Sequence, residues 1–219
     1  MEPSDVAKYL DAARFLRAWM QVGGEQGAGK RAFETLVACY GSAGRVYHNG
    51  EHIAECNDWL DRLSDWVQQP LEVQLAIYFH DAVYEIAESN NEAHSAALFG
   101  ALAQPSGVAH GLVHRVGRLI MATATHAPAA GDGRLLCDID LAVLGASPGR
   151  YQRYARAIRA EYQTVPTSVY RKGRIQVLQG FLSRLAIYHT PPLFEQLEVL
   201  ARQNLAQELA ELHQGDDCL

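Results

Sequence analysis

Residues 70–83 read PLEVQLAIYFHDAV, and the reading of this stretch settles the fold. Pro70 suits the first position of a helix, where its missing N–H is no loss. The chain is then apolar almost all round, the pattern of a helix buried on every side. The stretch runs into His80 and Asp81. An ionised carboxylate at the end of such a helix is costly to bury unless it is paired, and otherwise takes up a proton. The segment FHDAVY offers no Lys or Arg as partner. A divalent cation would satisfy both residues at once.

On either side the hydrophobic period is helical. Val6, Leu10, Ala13 and Leu16 give one amphipathic stretch, followed by GGEQGAG (23–29) as a loop. A short helix runs through Phe33, Leu36 and Val37 to Tyr40. Residues 44–50 form an irregular approach, and from Glu51 the spacing Ile53, Cys56, Leu60, Leu63, Val67 predicts another helix. Ser89 to Glu92 resembles a capping box that opens a helix through Leu98 and Leu102. A break at Pro105–Gly107 precedes a helix from Leu112 to Thr123, and Ala127–Gly133 is a loop. Leu135–Leu144 is a short helix closed by Gly145. Ser147-Pro148, Pro166-Thr167-Ser168 and Thr190-Pro191-Pro192 mark three further starts, the last for a long helix ending near His213. No stretch alternates as a strand would, no repeat shows, and no low-complexity linker divides the chain. The expectation is an all-α fold in one domain over residues 1–219.

The 219 residues are 48% hydrophobic and 20% charged, enough apolar material for a core. A formal net charge of -6 argues against a protein that coats nucleic acid or an anionic membrane. Cys39, Cys56, Cys137 and Cys218 stand far apart, which excludes a CxxC zinc site and argues against a disulfide framework. The N-terminal stretch lacks a signal-peptide core, and no apolar run approaches the roughly 20 residues that span a bilayer. These features predict a soluble, cytoplasmic protein.

The histidines of YHNGEH (47–52) extend the polar theme. His48 and His52 are four residues apart, so both rings can reach one space. Asn49 and Gly50 place His48 just before a helix and His52 in its first turn. His52 shares a face with Cys56, Trp59 and Leu63, the inward side. Further on, CDIDLAVLG sets Asp138 and Asp140 in an apolar helix. They lie roughly opposite one another, so one of them at most faces a shared centre. The inward polar groups are therefore His52, His80, Asp81 and one of Asp138 and Asp140. Two imidazoles and two carboxylates suit Mn, Fe, Ni, Zn or Mg better than a soft metal.

The order H…HD…D on helices resembles the HD-domain superfamily of metal-dependent phosphohydrolases. RVYHNGEHI, LAIYFHDAVYE, SNNEAHSA, DIDLAVLG and AEYQTVPTSVYRKGR together look like one branch of it, the uncharacterised bacterial predicted HD phosphohydrolases. The resemblance covers roughly residues 10–210. It implies an all-α fold with a divalent ion held by His52, His80 and Asp81, and it matches the final aspartate to Asp140. YHN-x-x-H is also similar to the motif of cyclic-nucleotide phosphodiesterases, which implies that His48 is a general acid. His126 is a candidate for a second metal site, or a cap on its helix C-terminus.

These roles imply hydrolysis of a small phosphorylated substrate such as a nucleotide. The ion would activate water and polarise phosphorus, and His48 would protonate the leaving oxygen. Glu85, one helical turn after the HD pair, is a candidate to orient water or a ligand histidine. Arg45, Lys172 and Arg174 are candidates to grip phosphate. Two other readings remain: a di-iron oxygenase, which needs more ligands, and a non-catalytic metal- or nucleotide-binding module. The substrate and the assembly stay open, with a homodimer among the options.

Overall fold

The computed structural model of the chain describes residues 3–127 and 130–214, the side chains of Pro3 and Ser4 excepted. Residues 128 and 129 of the expected loop, and Cys218, lie outside the described residues. Among those described, the protein is all-α, with eleven α-helices, short 3₁₀ turns and no strand. None of these helices is long and apolar enough to cross a membrane. The chain packs as two compact units, Met1–Ile139 and Asp140–Leu219.

The first unit carries α1 (Pro3–Leu10), α2 (Ala12–Gln21), α3 (Gln26–Tyr40), α4 (Gly50–Arg62), α5 (Pro70–Phe79), α6 (Asn91–Ala103), α7 (His110–Thr123) and α8 (Asp132–Asp140). Helix α8 ends on Asp140, the residue at which the second unit begins. The central element is α5, packed against α2, α4, α6 and α7. Its Val73, Leu75, Ala76, Ile77, Tyr78 and Phe79 are all fully buried, as all-round apolarity requires. Its one acidic residue, Glu72, is buried too, and Arg115 of α7 grips both carboxylate oxygens. Phe15 of α2 packs on Trp19, Phe33, Tyr78 and Phe79 with ring centroids 5.1–6.3 Å apart. Aromatic pairs at such separations contribute about 0.5–1.5 kcal/mol beyond their burial.

Four local expectations give way. The first amphipathic stretch is two helices, broken at Asp11, whose φ is 48° and whose carboxylate accepts from the Arg14 N–H. Aspartate tolerates this left-handed conformation better than most residues. The segment 23–29 is a loop only as far as Glu25, whose carboxylate caps α3 by accepting from the N–H groups of Gly27 and Ala28. Gly29 is helical, and a Cβ there would fall 2.7 Å from Trp19 Cδ1. Its glycine serves the close approach of α3 to α2. Helix α4 stops at Arg62 rather than running to Val67, and a 3₁₀ turn follows. Beyond it, the N–H groups of Gln68 and Gln69 are taken by the carboxylate of Asp132. The expected capping box at Ser89–Glu92 does not form, because α6 opens at Asn91 and Asn90 makes no side-chain cap. Asn91 instead accepts from the Glu85 N–H and donates to the Glu85 carbonyl.

The second unit carries α9 (Pro148–Glu161), α10 (Thr167–Leu182) and α11 (Pro191–Gln214) after a 3₁₀ stretch, Leu141–Gly145. The expected single helix Leu135–Leu144 thus tightens at Asp140. Gly145 is not its left-handed cap. It lies against α11, where a Cβ would sit 2.5 Å from Leu197 Cβ. Asn204 of α11 donates to the carbonyls of Leu144 and Ala146 and secures this contact. Buried Glu198 accepts from the N–H groups of Ile187 and Tyr188 and from Arg202.

Candidate metal centre

The first turn of α4 and the end of α5 bring the central residues together. Asn49 caps α4 by accepting from the Glu51 N–H, and its amide donates to the Val46 carbonyl. Gly50 lets α4 approach α1, since a Cβ there would lie 3.1 Å from the Val6 carbonyl. His52 therefore enters in the first turn with its ring buried, and His48 sits half-buried just before the helix. Helix α5 ends at Phe79, so His80 is its cap residue and Asp81 stands in the turn that follows. Asp140, the last residue of α8, supplies the fourth group.

One donor atom from each of His52, His80, Asp81 and Asp140 lies within 4.8 Å of the other three. His52 Nε2 is 3.3 Å from His80 Nε2, and Asp81 Oδ2 is 3.1 Å from the latter and 3.6 Å from the former. The Nδ1 of His80 lies 2.9 Å from the Ile77 carbonyl. A carbonyl only accepts, so Nδ1 carries the proton and Nε2 of the neutral ring presents its lone pair to the cluster. Two electron-rich atoms, His80 Nε2 and Asp81 Oδ2, thus converge beside His52 Nε2, and a shared proton or a cation has to hold them. Ligands about 2.1 Å from one ion stand about 3.0 Å apart as octahedral neighbours and about 3.4 Å apart as tetrahedral ones. The separations among His52, His80 and Asp81 are close to these edges, so these three donors fit a divalent ion, with Asp140 within 4.8 Å of them as a fourth group. Both histidines are buried, whereas Asp81 and Asp140 are partly exposed, which leaves the cluster open on one side.

The surroundings fix this geometry. Ser95 of α6 accepts from the Val83 N–H and donates to its carbonyl, tying down the turn after Asp81. Tyr40 donates to the Tyr78 carbonyl at 3.0 Å. Burial pushes its phenol well above the usual range, and the charge of Asp81 adds to this. The ring of His48 stacks on Tyr84 at 4.2 Å, with its centroid 6.1 Å from that of His52. The Cys56 thiol lies 3.8 Å from both ring nitrogens of His52. Cys39, Cys56 and Cys137 form no disulfide among the described residues.

The other candidates are placed differently. Asp138 is fully buried and is not one of the four clustered residues. His126 follows the end of α7 with φ 48° and is not in the group either. Glu85 is exposed in the loop between α5 and α6, not one helical turn beyond the HD pair, because α5 has already ended. Arg45 donates to three main-chain carbonyls, those of His48, Asp81 and Ala82. In the second unit, Arg174 is buried in a two-pronged pair with Glu208, at 2.7 and 3.0 Å. Lys172 is exposed on α10. Sequence reasoning passed over Tyr84 and Ser95, although FHDAVY and SNNEAHSA contain them; both contacts depend on a turn that periodicity does not describe.

Comparison of the chain with protein-family profiles, with curated proteins and with solved structures finds no significant match in any of the three.

Proposed function

We propose that this chain is a metal-dependent phosphohydrolase of the cytoplasm, acting on a small phosphorylated substrate, with a nucleotide as the favoured class. The observation that carries this reading is the convergence of His52, His80, Asp81 and Asp140 within 4.8 Å at the ends of α4, α5 and α8, with both histidines buried. A divalent ion held there would supply Lewis acidity, lowering the pKa of water and polarising a phosphoryl oxygen. The chain's own groups do the rest. His80 is held in one tautomer by Ile77, and the exposed sides of Asp81 and Asp140 leave an approach for the substrate. His48 stands beside the cluster, its ring oriented by the stack on Tyr84. From there it would hold a proton for the leaving oxygen. The four donors suit one ion, and their mixed nitrogen and oxygen character restricts it to the range Mn, Mg, Zn, Ni and Fe.

The test is a panel of nucleoside mono- and diphosphates, cyclic nucleotides and nitrophenyl phosphate, assayed with each metal in turn after chelation. Metal-dependent release of phosphate or nucleotide is expected. Stoichiometric metal binding with no turnover across the panel would instead favour a binding module.

A further inference from the structure

Arg45 joins two of the three segments that carry the cluster. One nitrogen of its guanidinium donates to the His48 carbonyl at 3.1 Å and to the Asp81 carbonyl at 2.6 Å. The other terminal nitrogen donates to the Ala82 carbonyl at 2.8 Å. The group stands between the rings of Tyr40 and Tyr84, 5.3 and 5.6 Å from their centroids. Tyr84 in turn stacks on His48. The approach to α4 and the turn after α5 lie outside regular helix, so their carbonyls need donors from elsewhere. A planar fork of fixed geometry supplies them from two nitrogens, which the single nitrogen of a lysine ammonium does not.

We propose that Arg45 is a positioning residue of the metal centre: it pins the His48 peptide to the Asp81 and Ala82 peptides and so sets the spacing of His52, His80 and Asp81 before any ion arrives. The inference rests on the metal-centre reading above. Charge and position pull in opposite directions here. A guanidinium beside the site repels a divalent cation, so a purely electrostatic role would make its removal tighten binding. Pinning makes its removal weaken binding, by about 10–100-fold if Arg45 acts as strongly as other outer partners of metal ligands.

The experiment titrates metal-free wild type, Arg45→Ala and Arg45→Lys with Co²⁺, followed by visible absorption, with circular dichroism to establish that each variant is folded. Both variants are expected to bind Co²⁺ about 10–100-fold more weakly than wild type. Millimolar guanidinium should restore most of the loss in Arg45→Ala, whose side chain leaves the slot empty, and none of it in Arg45→Lys. Hydrogen exchange of the metal-free proteins should show faster exchange over residues 46–50 and 80–84 in both variants, a readout that needs no ion. Wild-type affinity or tighter in Arg45→Ala, or weakened binding that guanidinium leaves untouched, overturns the positioning role while the metal centre stands. A wild type that binds no Co²⁺ overturns the metal-centre reading itself. If a variant does not fold, the positioning role is then decided by Arg45→Gln, which keeps part of the fork and should lose less affinity than Arg45→Lys.

Discussion

His80 and Asp81 are consecutive in the chain, yet His80 Nε2 and Asp81 Oδ2 point at the same space, 3.1 Å apart. Neighbours on a continuing helix would diverge by about 100°. Helix α5 ends at Phe79, and His80, still at helical angles (φ -57°, ψ -38°), is its cap residue, so both side chains stand at the end of the helix. The apolar helix thus serves as a rigid post, and its end carries the polar pair.

The first prediction concerns which carboxylates bind the ion. Asp81→Asn and Asp140→Asn should each weaken metal binding by at least about 100-fold, more than the loss of an outer partner costs. Asp138→Asn, on the same helix α8 but outside the cluster, should keep a full equivalent. Elemental analysis after equilibrium dialysis reads all three. Loss of metal from Asp138→Asn with retention in Asp140→Asn would reverse the assignment.

How far the sequence reached is clear from particular residues. Helix α5 and its HD end were legible because all-round apolarity is a local property. His52 was legible because its face is shared with Cys56 and Trp59. Helical phase alone left Asp138 and Asp140 open, and the choice of Asp140 came from resemblance. In the sequence Arg45 looks like a phosphate grip, because no partner for its guanidinium stands nearby. Its acceptors are main-chain carbonyls, one of them 36 residues away, and no residue type announces a carbonyl in need of a donor. Glu85 falls one turn past the HD pair only if α5 continues, and α5 stops at Phe79. The partner of Arg174, Glu208, lies 34 residues further on, out of reach of any local pattern. The boundary between Ile139 and Asp140 coincides with a helix tightening to 3₁₀, with no linker composition to mark it.

His48 supports a second prediction. Its ring is beside the cluster but not among the four clustered donors. His48→Ala should therefore retain the metal and lose about 10²–10⁴-fold in turnover on a nucleotide, the usual contribution of a general acid. The loss should shrink on nitrophenyl phosphate, whose leaving group needs no proton. Unchanged nucleotide turnover, or a variant emptied of metal, would show that His48 has another role.

In the second unit, Arg174, Glu208 and Tyr151 form a buried network, with Tyr151 donating to the same carboxylate that Arg174 grips. Arg174→Met leaves that carboxylate buried with its charge partner gone. It should destabilise by about 3–5 kcal/mol in denaturant unfolding, as loss of one partner of a buried pair does. The double variant Arg174→Met/Glu208→Leu should recover much of this, because an apolar replacement of both partners is often close to neutral. Two single losses that simply add would mean that the pair contributes nothing as a pair.

The last prediction tests the cap of α3. The Glu25 carboxylate accepts from the Gly27 and Ala28 N–H groups at 2.6 Å each. These bonds, with a smaller part from Arg31, hold its pKa below the ordinary 4.5. A depressed folded pKa means that the stabilisation is fully present above the unfolded value and is lost as pH falls through the lower folded one. Glu25→Gln should accordingly melt below wild type by a constant margin at neutral pH. The margin should narrow below about pH 4.5, where the unfolded carboxyl takes up its proton, and close once the folded one is protonated too. Added salt should shrink the part due to Arg31 and leave the part due to the two N–H groups. Melting curves of the two proteins across an acid series read the effect. A margin that does not change with pH would show that the cap works without its charge, and that α3 opens at Gln26 for reasons of packing against Trp19.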